Sequence, residues 1–168
     1  MIKNKFYLPL ILFIFFTAGF LIYKDFGFNI DEKFHRSNGF YWLIYLSDFF
    51  GLDHLKSLAE NKFNDIQGFT LSPVEYFNKY GIIFDVPAAL LEILFKFDKP
   101  IEYYQLRHFL VFIFHFIGAI FFYLLLQNRF KEENIALVGL IFLILMPRLF
   151  GDSFQNNKDI VCDFQLLR

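Results

Sequence analysis

Three long apolar runs set the pattern of the chain. Phe6 to Tyr23 and His108 to Asn128 contain no Lys, Arg, Asp or Glu, and Asn134 to Phe150 is interrupted only near its end, by Pro147 and Arg148. As helices rising ~1.5 Å per residue, the runs cover roughly 27, 32 and 25 Å, close to the ~30 Å hydrocarbon core of a bilayer. They predict membrane-crossing helices over about 6–23, 108–128 and 134–150.

The intervening residues 24–106 are mixed. Charges recur through them around apolar clusters at Phe40–Phe50 and Ile82–Phe97. Asp85-Val86-Pro87 is a helix start, because proline is tolerated in a first turn. The stretch from Val86 to Phe97 is too short and too charged to cross a bilayer, and Glu92 and Lys96 are spaced as a surface i, i+4 pair. It predicts a helix lying in the membrane interface. Tyr41, Trp42 and Tyr45 give the first cluster the aromatic character of a headgroup-level segment. Both clusters would serve equally as core helices of a small loop domain.

Charge at the ends of the runs orients them. Lys3 and Lys5 precede the first run, and Arg129 and Lys131 lie in the short linker between the second and third. The positive-inside rule places both groups in the cytoplasm. A signal peptide would share the basic start, but Ile22-Tyr23-Lys24-Asp25 lacks the small residues of a cleavage site. The expectation is an all-α polytopic protein of the cell membrane, with three transmembrane helices and a cytoplasmic N-terminus. Interfacial helices lie in a long first outer loop, 24–106, and a second outer loop covers 151–160.

Composition agrees: the chain is 57% hydrophobic, too apolar for an ordinary soluble domain. A net charge of −1 without a basic cluster gives no support for nucleic-acid binding, and no nucleic-acid partner is expected. The single cysteine, Cys162, excludes an internal disulfide and any zinc cluster of several cysteines. No phosphate-cradling glycine loop, His-Glu-x-x-His or Gly-x-Ser-x-Gly is present. No cofactor is called for, and use of a divalent metal stays open. His115, alone inside the second run, is read as packing neutrally against a neighbouring helix.

Two polar stretches carry the candidate chemistry. Asn29-Ile30-Asp31-Glu32-Lys33-Phe34-His35-Arg36 follows the first run. Partial burial and a like-charged neighbour suit one of its adjacent carboxylates to general-base work. If the stretch is helical, His35 lies over both Asp31 and Glu32. The fork of Arg36 suits an anionic leaving group. The bland reading is that Asp31 and Glu32 simply start a helix whose dipole favours them. The second stretch, Pro147 to Ile160, packs Arg148, Asp152, Asn156, Asn157, Lys158 and Asp159 between apolar segments, and would otherwise be a solvated loop.

At these two stretches the chain resembles the membrane glycosyltransferases that use polyprenyl-phosphate sugars, the superfamily of protein O-mannosyltransferases and lipid A aminoarabinose transferases. The order is similar: a first span, an outer loop opening with Asp31-Glu32, interfacial helices, two spans with a basic turn, then a second outer loop with an acidic residue. Asn-Asn-Lys158-Asp159-Ile is similar to the Asn-Pro-Lys-Asp-Ile form of some bacterial members and lacks its proline. The resemblance covers nearly the whole chain, but only as the N-terminal third or so of such an enzyme. It implies that Asp31 or Glu32 deprotonates an acceptor hydroxyl, which attacks the anomeric carbon while polyprenyl phosphate leaves with inversion. Asp159 would position acceptor or donor. His35 would line the substrate site, and Arg36, Arg148 or Lys158 would neutralise the leaving phosphate.

A fourth apolar run opens at Ile160, turns polar over Asp163 to Arg168, and stops. The expectation is a truncated or frameshifted copy, inactive alone. The alternative is a small non-catalytic polytopic protein that binds or translocates lipid-linked sugars. A transporter fragment with His115 on an ion path ranks below both.

Overall fold

The computed structural model describes residues 6–66, 77 and 82–157. All regular structure among them is helical: α1 (Tyr7–Ile22), α2 (Ile30–Phe49), α3 (Asp53–Asn64), α4 (Asp85–Leu94), α5 (Pro100–Phe130), α6 (Glu133–Leu145) and α7 (Pro147–Gln155). The chain forms two compact units, one of residues 28–106 and one of residues 1–27 with 107–168.

The three expected spans fare differently. Helix α5 has 31 residues and, among the described helices, is the one long and apolar enough to cross a membrane by itself. It begins at Pro100, several residues before its charge-free run. Helix α1 is apolar but has 16 residues, about 24 Å. The third run is not a straight span over 134–150. Helix α6 stops at Leu145, and α7 leaves it at a bend of 63°. Pro147 is the cause: its missing N–H fits the first turn of a new helix, and its ring pushes Met146 to the extended φ −70°, ψ 111°. Residues 151–155, expected in an outer loop, are the continuation of α7. With the bent pair counted as one crossing, the described helices supply at most two candidate spans.

The unit containing α1 and the α5 run is held by aromatic packing. Phe15, Phe112, Tyr123, Leu140 and Phe154 are buried together. The ring of Phe154 stacks on Phe26 at 4.2 Å and on Phe112 at 5.3 Å. Gly19 admits the Phe112 ring and Gly139 the Leu126 side chain, at places where a Cβ would collide. Small residues that let helices approach are the usual means of packing where water offers little drive.

In residues 28–106, helices α2, α3 and α4 pack around Phe40, Leu43, Ala59, Ile66 and Ala89. Phe77 stacks between Phe34 and Tyr41, at 5.4 and 5.0 Å, and its carbonyl accepts from Trp42 Nε1. The contact that sets the spacing is at Gly39, where a Cβ would overlap the backbone carbonyl of Asp85 and press on Ala89. Helix α3 is clipped at both ends by surface pairs, Lys56–Asp48 and Lys62–Asp98, each 2.6 Å. The hydrogen bond that Lys56 donates to Asp48 is the main cause raising Lys56 above its ordinary 10.5. That contribution is present below pH 10.5 and lost as pH rises through the raised value. The hydrogen bond from Lys62 is the main cause holding Asp98 below its ordinary 3.8. Its contribution is present above that pH and lost as acid titrates the lowered value. The clips therefore persist through the neutral range.

Replacing Gly39 by alanine forces α2 and α4 apart against backbone, and overpacking of this kind costs about 1–3 kcal/mol. Thermal melting of the detergent-solubilised protein should fall for Gly39→Ala. Gly151→Ala, which meets nothing within 4 Å, should leave the midpoint unchanged or raise it through better helix propensity. Equal melting of the two variants would show that α2 and α4 do not meet at Gly39.

Candidate functional site

Helix α2 begins at a polar cap. The Asn29 side chain accepts the Asp31 backbone N–H at 3.4 Å, and Asp31 and Glu32 occupy the first turn, where the helix dipole favours carboxylates. Being adjacent, the two point about 100° apart around the helix. Asp31 is exposed and Glu32 is 5% exposed. The adjacent carboxylates therefore occupy different environments.

One turn on, His35 and Arg36 are both buried. His35 Nδ1 lies 3.1 Å from Asp85 Oδ2, across on α4. Asn38 Nδ2 donates to the same oxygen at 2.7 Å, which fixes the amide orientation because a carboxylate needs a donor. Arg36 donates from Nε and Nη2 to Glu92, with the Nη2–Oε1 distance 2.6 Å, and stacks 3.7 Å from the centre of the Tyr103 ring. Glu92 is fully buried. The sequence spacing had matched Glu92 with Lys96. Instead Glu92 faces inward, and Lys96 lies beyond the end of α4 with φ 55°.

Two rules explain this arrangement. Asp85 and Glu92 are seven residues apart, two helical turns, so they share one face of α4 with the small Ala88 and Ala89. Gly39 and those alanines bring the helices close, and the long Arg36 side chain then reaches Glu92. Each carboxylate accepts charge-assisted or amide donors, the condition under which buried ionisable groups are tolerated. Ser37 and Ser47, also buried on α2, return their hydroxyls to the carbonyls of Lys33 and Leu43.

Chemically, an imidazole held at Nδ1 by a carboxylate has a set tautomer and orientation, the arrangement in which a histidine can act as acid or base through Nε2. Glu32 is three residues before His35 on the same helix. The bidentate edge of Arg36 is committed to Glu92. Arg148 is exposed on α7, in the other unit, 3.8 Å from Asp152. Lys158 and Asp159 lie outside the described residues. Among the described residues no group of three or more His, Cys, Asp and Glu could hold a metal.

Asp85, Glu92 and Asn38 were not read as site residues in the sequence. Their partners are 47 to 56 positions away, beyond any local spacing rule. The one available signal was that Asp85 and Glu92 flank two alanines on one helical face. No protein-family model, curated protein or solved structure matches the chain.

Removing one partner of a buried ion pair leaves a desolvated charge and costs about 3–5 kcal/mol, whereas replacing both by apolar residues is often neutral. Arg36→Met and Glu92→Leu should each lower the melting midpoint markedly, and the double variant should recover most of the loss. Additive losses in the double variant would show that the two residues act independently.

Proposed function

We propose that the chain is a membrane protein carrying the acceptor-activating part of a glycosyltransferase that draws on a polyprenyl-phosphate sugar. The observation that supports this most directly is the head of α2. There Glu32 is buried beside the Asp85-held His35, while Asp31 remains at the surface. Glu32 takes the proton of an acceptor hydroxyl, whose oxygen attacks the anomeric carbon of the donor. The glycosidic bond forms as the bond to the phosphate oxygen breaks, and polyprenyl phosphate leaves with inversion. His35 orients the acceptor from one turn further along α2.

Of the expected phosphate partners, Arg36 is engaged by Glu92, so it acts by fixing α2 to α4. The roles of Arg148, Lys158 and Asp159 toward the donor rest on the resemblance alone. A multi-pass arrangement in the cell membrane, N-terminus inside, would use α1, α5 and the bent α6–α7 pair. Support comes from the length of α5 and from the distribution of polarity. Arg36, His35, Asp85 and Glu92 face inward, while Phe13, Leu21, Phe121 and Phe142 are about half or more exposed, an outward-apolar arrangement suited to lipid.

A second reading has its own support. Arg36 with Glu92 and His35 with Asp85 pair off inside the α2–α4 contact, which suits a non-catalytic protein that binds or moves lipid-linked sugars. The two readings separate in membranes supplied with a polyprenyl-phosphate-linked sugar and with the donor-binding spans of a glycosyltransferase of that superfamily. Glu32→Gln should reduce transfer by about 10²–10⁴-fold, the usual range for a general base. Asp31→Asn should change it by less than about tenfold on the same scale. Equal rates in both variants would remove Glu32 from the role. Donor cross-linking without transfer in any variant would favour the binding reading.

A further inference from the structure

The turn between α2 and α3 exposes apolar side chains while its backbone N–H groups are bonded. Phe49 is 75% exposed, Phe50 67% and Leu52 50%. Solvated turns are ordinarily polar, and an apolar tip of this size is a contact surface in the making. Its N–H groups close onto carbonyls of α2. The Leu52 N–H donates to the Ser47 carbonyl at 2.8 Å and the Gly51 N–H to Asp48 at 3.1 Å. With Gly51 at φ 67°, this is the Schellman closure of a helix, and glycine takes the left-handed position without strain. The Phe50 N–H also bonds, to Leu46, and the Leu52 carbonyl accepts from Lys56.

A protruding tip with apolar side chains and no unsatisfied N–H over Phe50 to Leu52 meets the requirement for entering a low-dielectric medium, where each orphan group costs several kcal/mol. The next helix is different. Helix α3 presents Asp53, His54, Ser57 and Asn61 to the outside. The same short region thus has an apolar tip and a wet flank, which suits a boundary between lipid and water better than the core of a protein contact. Chain connectivity supplies the bilayer: residues 28–106 are joined to α1 by a few residues and run directly into α5.

We propose that the α2–α3 turn is a membrane anchor, with Phe49, Phe50 and Leu52 inserted among the acyl chains at the bilayer surface and Tyr45 at headgroup level. Tyr45 is one helical turn before Phe49 and is itself 58% exposed, and amphipathic tyrosines collect at that depth. The anchor fixes the C-terminal end of α2 at the membrane surface. It rests on the reading that α5 crosses the bilayer.

The test separates the two. In a Cys162→Ser background, Phe50→Cys, Ser57→Cys and Phe121→Cys are each labelled with a nitroxide and reconstituted in phosphatidylethanolamine–phosphatidylglycerol vesicles. Leu52→Cys serves as a second tip position should the first disturb folding. Relaxation by oxygen, which concentrates in lipid, is compared with relaxation by a water-soluble nickel chelate. Oxygen should dominate at positions 50, 52 and 121, and nickel at 57. Nickel dominance at 50 and 52 with oxygen dominance at 121 overturns the anchor and leaves the span standing. Shielding of 50 and 52 from both reagents also overturns it, because a protein surface then covers the tip. Nickel dominance at 121 removes the span and the anchor together.

Discussion

Burial of charge between α2 and α4 governs the architecture of residues 28–106. An arginine and a glutamate removed from water each lose several kcal/mol of hydration, and only close, well-directed pairing restores it. Arg36 and Glu92 meet that condition through two nitrogens on one carboxylate, with the Tyr103 ring against the guanidinium face. The pairing tolerates little displacement. It depends on Gly39 lying against the Asp85 carbonyl, and Asp85 in turn carries His35 and Asn38. Glycine contact, ion pair and histidine pair therefore stand or fall together.

This interior charge has a counterpart outside. Where polar groups turn inward, apolar side chains are left at the surface, and the α2–α3 turn and the end of α4 both show it, with Leu94 and Phe95 more than half exposed. The unit containing α1 and the α5 run reaches a similar exterior by another route. Its core is aromatic stacking with glycine notches, and its helices turn Phe13, Leu21, Phe121 and Phe142 outward.

Much of this could be read from residue order. The charge-free run behind α5, the apolar run of α1, the helix start at Asp85-Val86-Pro87 and the stop at Pro147 each follow from local chemistry. The failures have a common physical cause. Helix patterning assumes that charged residues face water, so Glu92 was matched with Lys96 along the helix surface, and Arg36 was left open for a phosphate. Both inferences reverse once two charged faces can meet. Gly39 carried no signal, because a close approach is invisible without the partner helix. The different environments of Asp31 and Glu32 could not be assigned before the burial of α2 was known. The bend at Met146 was half legible: proline marked the end of α6 but did not announce a second helix beyond it.

The separation of Arg36 from Glu92 along the chain bears on the order of events during synthesis. They are 56 positions apart, so at ~5–20 residues per second Arg36 emerges roughly 3–11 s before its partner. Until then Arg36 is without Glu92, and an unpaired arginine disfavours insertion of a helix, by about 2.5–3.5 kcal/mol at its middle and less toward an end, where Arg36 lies. Helix α2, 20 residues long and aromatic, has the length of a span. Arg36, with Asp31, Glu32, Lys33 and Asp48 on the same helix, weighs against inserting it as one.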